Sequence, residues 1–287
     1  MLSPRCVCLT RGSKVTETNT ETRAYQLTDL LRVMERLREP DGGCPWDLAQ
    51  DFRSIAPSTL EEAYELVDAI EHGDYPHMAE ELGDVLFQVV FYSQLGREQG
   101  VFDFEDIVST LVDKLLRRHP HVFADGEVEG LTAADVSVGE VKQSWEAIKK
   151  QERDGRNLVG LLADIPLALP ALSRAQKIQK RAAQVGFDWK HIDGVVEKLD
   201  EELKEYREAI AQSRDRQEDE IGDLLFTCVN LARHAGFDAE AALRRATAKF
   251  ENRFQTMEKE LGERGQRVDE LELAALQSLW QKAKERV

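Results

Sequence analysis

Two sets of carboxylates in this sequence carry spacing that could do chemistry. Glu201-Glu202-Leu203-Lys204-Glu205 is followed by Glu220-Ile221-Gly222-Asp223, and the same pair of strings occurs earlier as Glu61-Glu62-Ala63-Tyr64-Glu65 and Glu81-Leu82-Gly83-Asp84. At about 100° per residue, Glu202 and Glu205 share one side of a helix with Lys198, and Glu220 shares a side with Asp223. If the two helices pack together, four acids meet in a partly buried place, where they repel one another and take up protons unless a counter-charge is supplied. A divalent cation resolves the conflict. Four oxygen donors with no sulfur or imidazole favour Mg²⁺, with Mn²⁺ as the alternative, over zinc. A di-iron bundle would want Glu-x-x-His pairs, and Asp84 and Asp223 stand where the histidines should be.

A single Glu-x-x-Glu is more often a solvated helix face than a site. Here the two strings occur together twice, at nearly equal separation (65 to 81 and 205 to 220), and the second string opens a segment that reads as too apolar for a surface helix.

The elements that must position these acids read almost throughout at helical period. Leu27, Leu30, Leu31, Met34 and Leu37 form one amphipathic stripe, stopped by Pro40-Asp41-Gly42-Gly43. Ser58-Thr59-Leu60-Glu61 has the form of a capping box, predicting a helix to about Ile70 with Gly73 as its stop. Residues 78–100 are apolar on nearly every side and predict a buried helix, and 104–118 predict a further amphipathic one. Few segments alternate as a strand would, so the class is all-α. The series then recurs: Glu61 to Glu65 returns as Glu201 to Glu205, Lys114 and Arg118 as Lys249 and Arg253, and Trp145 as Trp280. We read a disordered tail over residues 1–24, a first bundle of four or five helices over 25–155, a linker over 156–175 with Pro166 and Pro170, and a second bundle over 176–287. Each copy is small for a stable core, so pairing within or between chains, as in a homodimer, is expected.

Composition closes off other classes. Of 287 residues, 42% are hydrophobic, enough for a packed core, and no apolar run approaches a membrane span. The net charge of −16 opposes nucleic-acid binding and requires bridging cations for any polyphosphate ligand. Cys6, Cys8, Cys44 and Cys228 form no CxxC pair, so a reducing cytoplasm is the default compartment.

Gly43-Cys44-Pro45-Trp46-Asp47, Arg117-Arg118-His119-Pro120-His121-Val122-Phe123 and Arg174-Ala175-Gln176-Lys177-Ile178-Gln179-Lys180, together with both carboxylate sets, resemble the two-copy bacterial form of the MazG family of nucleoside triphosphate pyrophosphohydrolases. The resemblance runs from Leu27 to the C-terminus and implies Mg²⁺-dependent attack of water on the α-phosphorus of (d)NTPs with broad base choice. It implies metal ligation by Glu202, Glu205, Glu220 and Asp223, a catalytic role for Glu201 and Glu202, and nucleotide contacts from Lys198, Glu201, Arg216, Lys249, Arg253 and Trp280. By residue type alone, Lys249 and Arg253 read equally as solvated, Glu201 as a surface carboxylate, and Trp280, beside Leu276 and Leu279, as core.

In the first copy Ser58 stands where Lys198 stands, and His77 where Arg216 stands. We therefore expect the second copy to do most of the hydrolysis and the first to be structural, weak or regulatory. The competing readings are a non-catalytic helical regulator that senses nucleotide or binds protein, and a superfamily cousin specific for one substrate such as dUTP or phosphoribosyl-ATP.

Overall fold

The computed structural model describes residues 24–130, 136–155 and 160–286. Almost all of the expected tail, part of the expected linker and the cysteines Cys6 and Cys8 lie outside these. The chain is 73% helical and the described residues contain no strand, which makes the protein all-α. It divides into two compact units, Met1–Ile148 and Lys149–Val287, the division falling inside a helix rather than at residue 155.

The first unit contains α1 (Leu27–Leu37), α2 (Pro45–Leu48), α3 (Phe52–His72), α4 (Tyr75–Gln99), α5 (Phe104–Arg118) and the start of α6 (Val138–Asp154). The dominant packing is α3 against α4. Gly73, in the left-handed region at φ +69°, ends α3, and Asp74 caps α4 by accepting from the His77 amide. So short a connection forces the two helices antiparallel. Glu65 lies eight residues before Gly73 and Glu81 eight after it, so the hairpin sets them level.

The core beneath is Met34, Ile55, Val90, Phe91 and Leu95, with Leu30, Leu31, Phe52 and Phe87 against it. Arg38, almost fully buried, ties α1 to this hairpin. Its guanidinium forks onto both oxygens of Glu98 (2.8 and 2.7 Å), donates to the carbonyls of Asp47 and Gln50, and lies 5.4 Å from the Phe91 ring centroid. The fork holds the Glu98 carboxyl below its ordinary range.

The second unit contains α7 (Ala171–Ala183), α8 (Ile192–Ala209), α9 (Arg214–His234), α10 (Ala239–Glu263) and α11 (Leu273–Arg286). Here α8 and α9 form the hairpin, with Ser213 capping α9 through the Arg216 amide. Glutamines of the Arg174–Lys180 string act as clamps. Gln176 bridges the Phe237 carbonyl (3.0 Å) and the Ala239 amide (2.9 Å), and Gln179 donates to the Phe226 carbonyl (2.8 Å). Asp188 accepts from Arg233 and His234, and its carboxyl is lowered, first by Arg233. Met257, Leu261, Leu279 and Ala283 form the core between α10 and α11.

Four expectations are corrected. Helix α3 starts at Phe52, capped by Asp51 through the amides of Arg53 and Ser54, and it runs through Pro57 past the supposed box at Ser58. The Asp51–Ser54 reciprocal cap satisfies the end of the helix earlier. Helix α4 starts at Tyr75 rather than 78, because Asp74 with Pro76 in the first turn nucleates it. Helix α7 starts at Ala171, inside the stretch read as linker, with Pro170 at its N-cap. Finally, α4 and α9 are buried on one side only: Leu82, Leu86 and Val89 are exposed, as are Ile221, Leu225 and Phe226, since one unit supplies too few helices to cover both faces.

The turn at Gly43 yields the first test. A Cβ there would sit 2.4 Å from the Glu39 carbonyl oxygen and 2.6 Å from that of Leu37, both backbone. Gly43→Ala is expected to destabilise the first unit by roughly 2 kcal/mol or more, the scale of backbone strain. A urea unfolding curve of the full chain matching wild type would refute this.

Candidate metal and phosphate site

In the second unit, α8 and α9 bring together Glu202, Glu205 and Glu220, each offering a carboxylate oxygen within 4.8 Å of the others. Glu202 is 5% exposed and Glu220 2%. Their Oε2 atoms are buried and, among the described residues, have no hydrogen-bond partner. The Oε1 atoms are held by cations one turn upstream on the same helix. Lys198 Nζ lies 3.0 Å from Glu202 Oε1 and 2.9 Å from Glu201 Oε1, and Arg216 pairs with Glu220 Oε1. Lys198 is held protonated above its ordinary range, first by its hydrogen bond to Glu201 and then by Glu202. The Glu205 carboxyl is pushed up by desolvation and then by the charge of Glu220.

The first unit builds the same cluster from Glu62, Glu65 and Glu81, within the same 4.8 Å. Glu81 is 6% exposed, and its Oε2 is buried without a partner among the described residues. The upstream positions differ. Ser58 supplies no charge, and His77 Nδ1 stands 3.3 Å from Glu81. Both Glu62 and Glu65 are pushed up, by desolvation first and then by neighbouring carboxylates. Asp84 is the strongest of those neighbours for Glu62.

Three of the four expected ligands, Glu202, Glu205 and Glu220, thus converge in the second unit. Asp223 is exposed and lies outside the cluster. It sits one turn beyond Glu220 on a shorter side chain. Glu201 is exposed and tied to Lys198. Lys249, Arg253 and Trp280 belong to α10 and α11, and no hydrogen bond or ion pair among the described residues joins them to the acids. Lys249 is exposed. Arg253 is half-buried with a buried, unpartnered Nε. Trp280 packs against the Met257–Leu279 core with its ring 4.9 Å from that of Phe250, the core role its neighbours in sequence allow.

Sequence reasoning missed the ion pairing of Arg216 with Glu220; the signal was its four-residue spacing, the same that links Lys198 to Glu202. The Arg38–Glu98 and Asp188–Arg233–His234 networks carried no signal, because their partners lie 60 and 45 or 46 residues apart.

Buried carboxylate oxygens without donors, crowded against like charges, fit a hard divalent cation, and the all-oxygen donor set is of the Mg²⁺ or Mn²⁺ kind. Fold and site together define an all-α protein of repeated helical hairpins, each hairpin carrying a carboxylate cluster. The chain belongs to the MazG family. The model of the MazG nucleotide pyrophosphohydrolase domain matches residues 50–123 and 191–257, one segment in each unit and each spanning a carboxylate hairpin. The chain is 49% identical to the nucleoside triphosphate pyrophosphohydrolase of Escherichia coli K12 over 90% of its own length and 97% of that protein's. It is 46% identical to the nucleoside triphosphate pyrophosphohydrolase/pyrophosphatase MazG of Thermotoga maritima, over 89% and 94%.

The raised carboxyls fix the sign of a pH effect. A carboxyl whose folded pKa is raised binds its proton more tightly in the folded state. It therefore costs stability as pH rises through the interval from its unfolded to its folded pKa, and the full cost is present above the folded pKa. Glu65→Gln should raise the thermal midpoint of the ion-free protein at pH 7 and lose that advantage in acid. Mg²⁺ should raise the wild-type midpoint at pH 7, with the increment shrinking as pH falls into the carboxylate range. A Mg²⁺ increment independent of pH would contradict this account of the clusters.

Proposed function

We propose that this protein hydrolyses nucleoside triphosphates, ribo- or deoxy-, to the monophosphate and pyrophosphate, with Mg²⁺ (or Mn²⁺) and with little choice of base. The observation that carries the reading is the convergence of Glu202, Glu205 and Glu220 with two buried, donorless oxygens beside a lysine and an arginine. The names of the two relatives point the same way. A bound divalent cation would supply charge neutralisation at the triphosphate and polarise the phosphorus–oxygen bonds.

The chain's residues do the rest. Glu202, Glu205 and Glu220 hold the cation, with Asp223 available if its side chain turns inward. Lys198 and Arg216 carry positive charge to the phosphate side, and Lys249 and Arg253, one turn apart on α10, add to it. Glu201, held by Lys198, orients the attacking water and accepts its proton as the oxygen–phosphorus bond forms and the bond to the pyrophosphate leaving group breaks. Trp280, whose ring is only partly buried, offers a face for base stacking that does not read base identity.

The second unit carries the activity in this reading, because its cluster alone has the upstream lysine and arginine. A homodimer is supported by the exposed apolar faces of α4 and α9, which recur at equivalent places (Leu82 and Leu86, Ile221 and Leu225) and which a second copy would cover. None of the described helices is long and apolar enough to cross a membrane, in keeping with a cytoplasmic site of action.

The test is pyrophosphate release by purified protein across a panel of nucleotides with and without Mg²⁺. Glu202→Gln and Glu220→Gln are each expected to lower kcat/KM by roughly 100-fold or more, the scale of losing charge stabilisation in phosphoryl transfer. If Glu62→Gln abolishes turnover and Glu202→Gln does not, the assignment of units is wrong. Absence of pyrophosphate release would favour the non-catalytic regulator.

A further inference from the structure

The two clusters hold equivalent trios of glutamates, each converging within 4.8 Å, and differ in what sits one helical turn upstream. In the second unit Lys198 and Arg216 already occupy Glu202 Oε1 and Glu220 Oε1, so three carboxylates face two full positive charges. In the first unit Ser58 and His77 hold these positions, and three carboxylates face a single imidazole. Both clusters keep a buried oxygen without a donor: Glu81 Oε2 in the first, and Glu202 and Glu220 Oε2 in the second. Each therefore has room for a cation at those oxygens, but only the second has a lysine and an arginine standing on the other oxygens of the same carboxylates.

We propose that the two units take a divalent cation under different rules. The first unit's cluster, Glu62, Glu65 and Glu81, takes it up alone. The second unit's cluster takes it up only together with a polyphosphate anion, because Lys198 and Arg216 already stand on Glu202 and Glu220 and repel an entering cation. The proposal rests on the reading above, in which the second cluster is the reaction site.

Competition among cations for the same carboxylates separates the two units. A divalent cation entering the second cluster at the free Oε2 atoms is crowded by two positive charges and weakens two ion pairs, and both costs fall when a phosphate chain offers those side chains another partner. Both are free to make the exchange, since the Lys198 side chain is 30% exposed and that of Arg216 52%. Cation and polyanion then favour one another at this site, as linkage requires. In the first cluster the counterpart among the described residues is the His77–Glu81 contact at 3.3 Å, so the attraction of three carboxylates for the ion is opposed there by one imidazole. The first unit thereby acquires a role of its own, a standing cation site that neutralises its hairpin whether or not nucleotide is present.

The experiment exchanges the upstream residues and counts bound Mn²⁺ by electron paramagnetic resonance in the absence of any nucleotide. Wild-type full-length protein is expected to bind one Mn²⁺ per chain, lost in Glu81→Gln and kept in Glu220→Gln. Installing the first unit's residues in the second, Lys198→Ser with Arg216→His, should reveal a second Mn²⁺ per chain, with affinity raised roughly 10-fold or more, within the usual range of coupling between sites. The reverse exchange, Ser58→Lys with His77→Arg, should weaken the first site by a similar factor. Arg216→His alone, the milder change, should give a partial gain if the double variant does not fold, with helical circular dichroism as the check on each.

Two equal Mn²⁺ sites in wild type, none, or one that Glu220→Gln removes would overturn the proposal. So would a Lys198→Ser, Arg216→His chain that folds and gains nothing. Pyrophosphate release with two nucleotide-independent sites would sink this inference and leave the proposed activity standing. The expected Mn²⁺ counts without pyrophosphate release would do the reverse.

Discussion

Mutual repulsion of carboxylates that the fold forces together is the constraint around which each unit is organised. A helical hairpin with a tight turn sets acids on its two arms level, and burial of Glu81 in one hairpin and of Glu202 and Glu220 in the other removes water that would otherwise screen them. The raised pKa values of Glu62, Glu65 and Glu205 register that cost. In the second unit an ammonium and a guanidinium from the preceding turns offset it, and in the first unit little does. The rest of each unit holds the hairpin rigid enough for the repulsion not to relax by splaying the helices.

That rigidity has different sources in the two halves. The first unit staples α1 to the far end of α4 through Arg38 and Glu98, with Phe91 under the guanidinium. The second uses the side-chain amides of α7 as clamps on the backbone of α9 and on the start of α10, and secures the end of α9 with Asp188. Both devices put a buried polar group where its every lapse would be costly, and so they specify position as well as adding stability. The glutamine clamps account for one of the strings that carry the family resemblance, and the crowding of Gly43 by the Leu37 and Glu39 carbonyls accounts for the glycine in another.

Much of this was legible beforehand because it depends on local spacing. The helices α1 and α5 begin and end where the apolar stripe predicts, since amphipathic period and capping are properties of a few neighbouring residues. The equal distances from Glu65 and Glu81 to Gly73 already contain the register of the hairpin. The apolar runs of α4 and α9 were misleading for the opposite reason. An all-round hydrophobic helix reads as buried, yet one chain has too few helices per unit to bury it, and the outer face stays open at Leu86 and Leu225.

The sequence by itself therefore determined the all-α class, the repeat, the acids that meet and the cations one turn before them, because all of these follow from helical period and chain order. Only the tertiary structure decided that Asp223 stays outside the cluster, that Arg216 closes on Glu220, and that Trp280 is held by Phe250 and the α10–α11 core. It also showed which carboxylate oxygens are left without a donor. Those outcomes turn on side-chain reach, burial and contacts between residues far apart along the chain, which spacing alone does not encode.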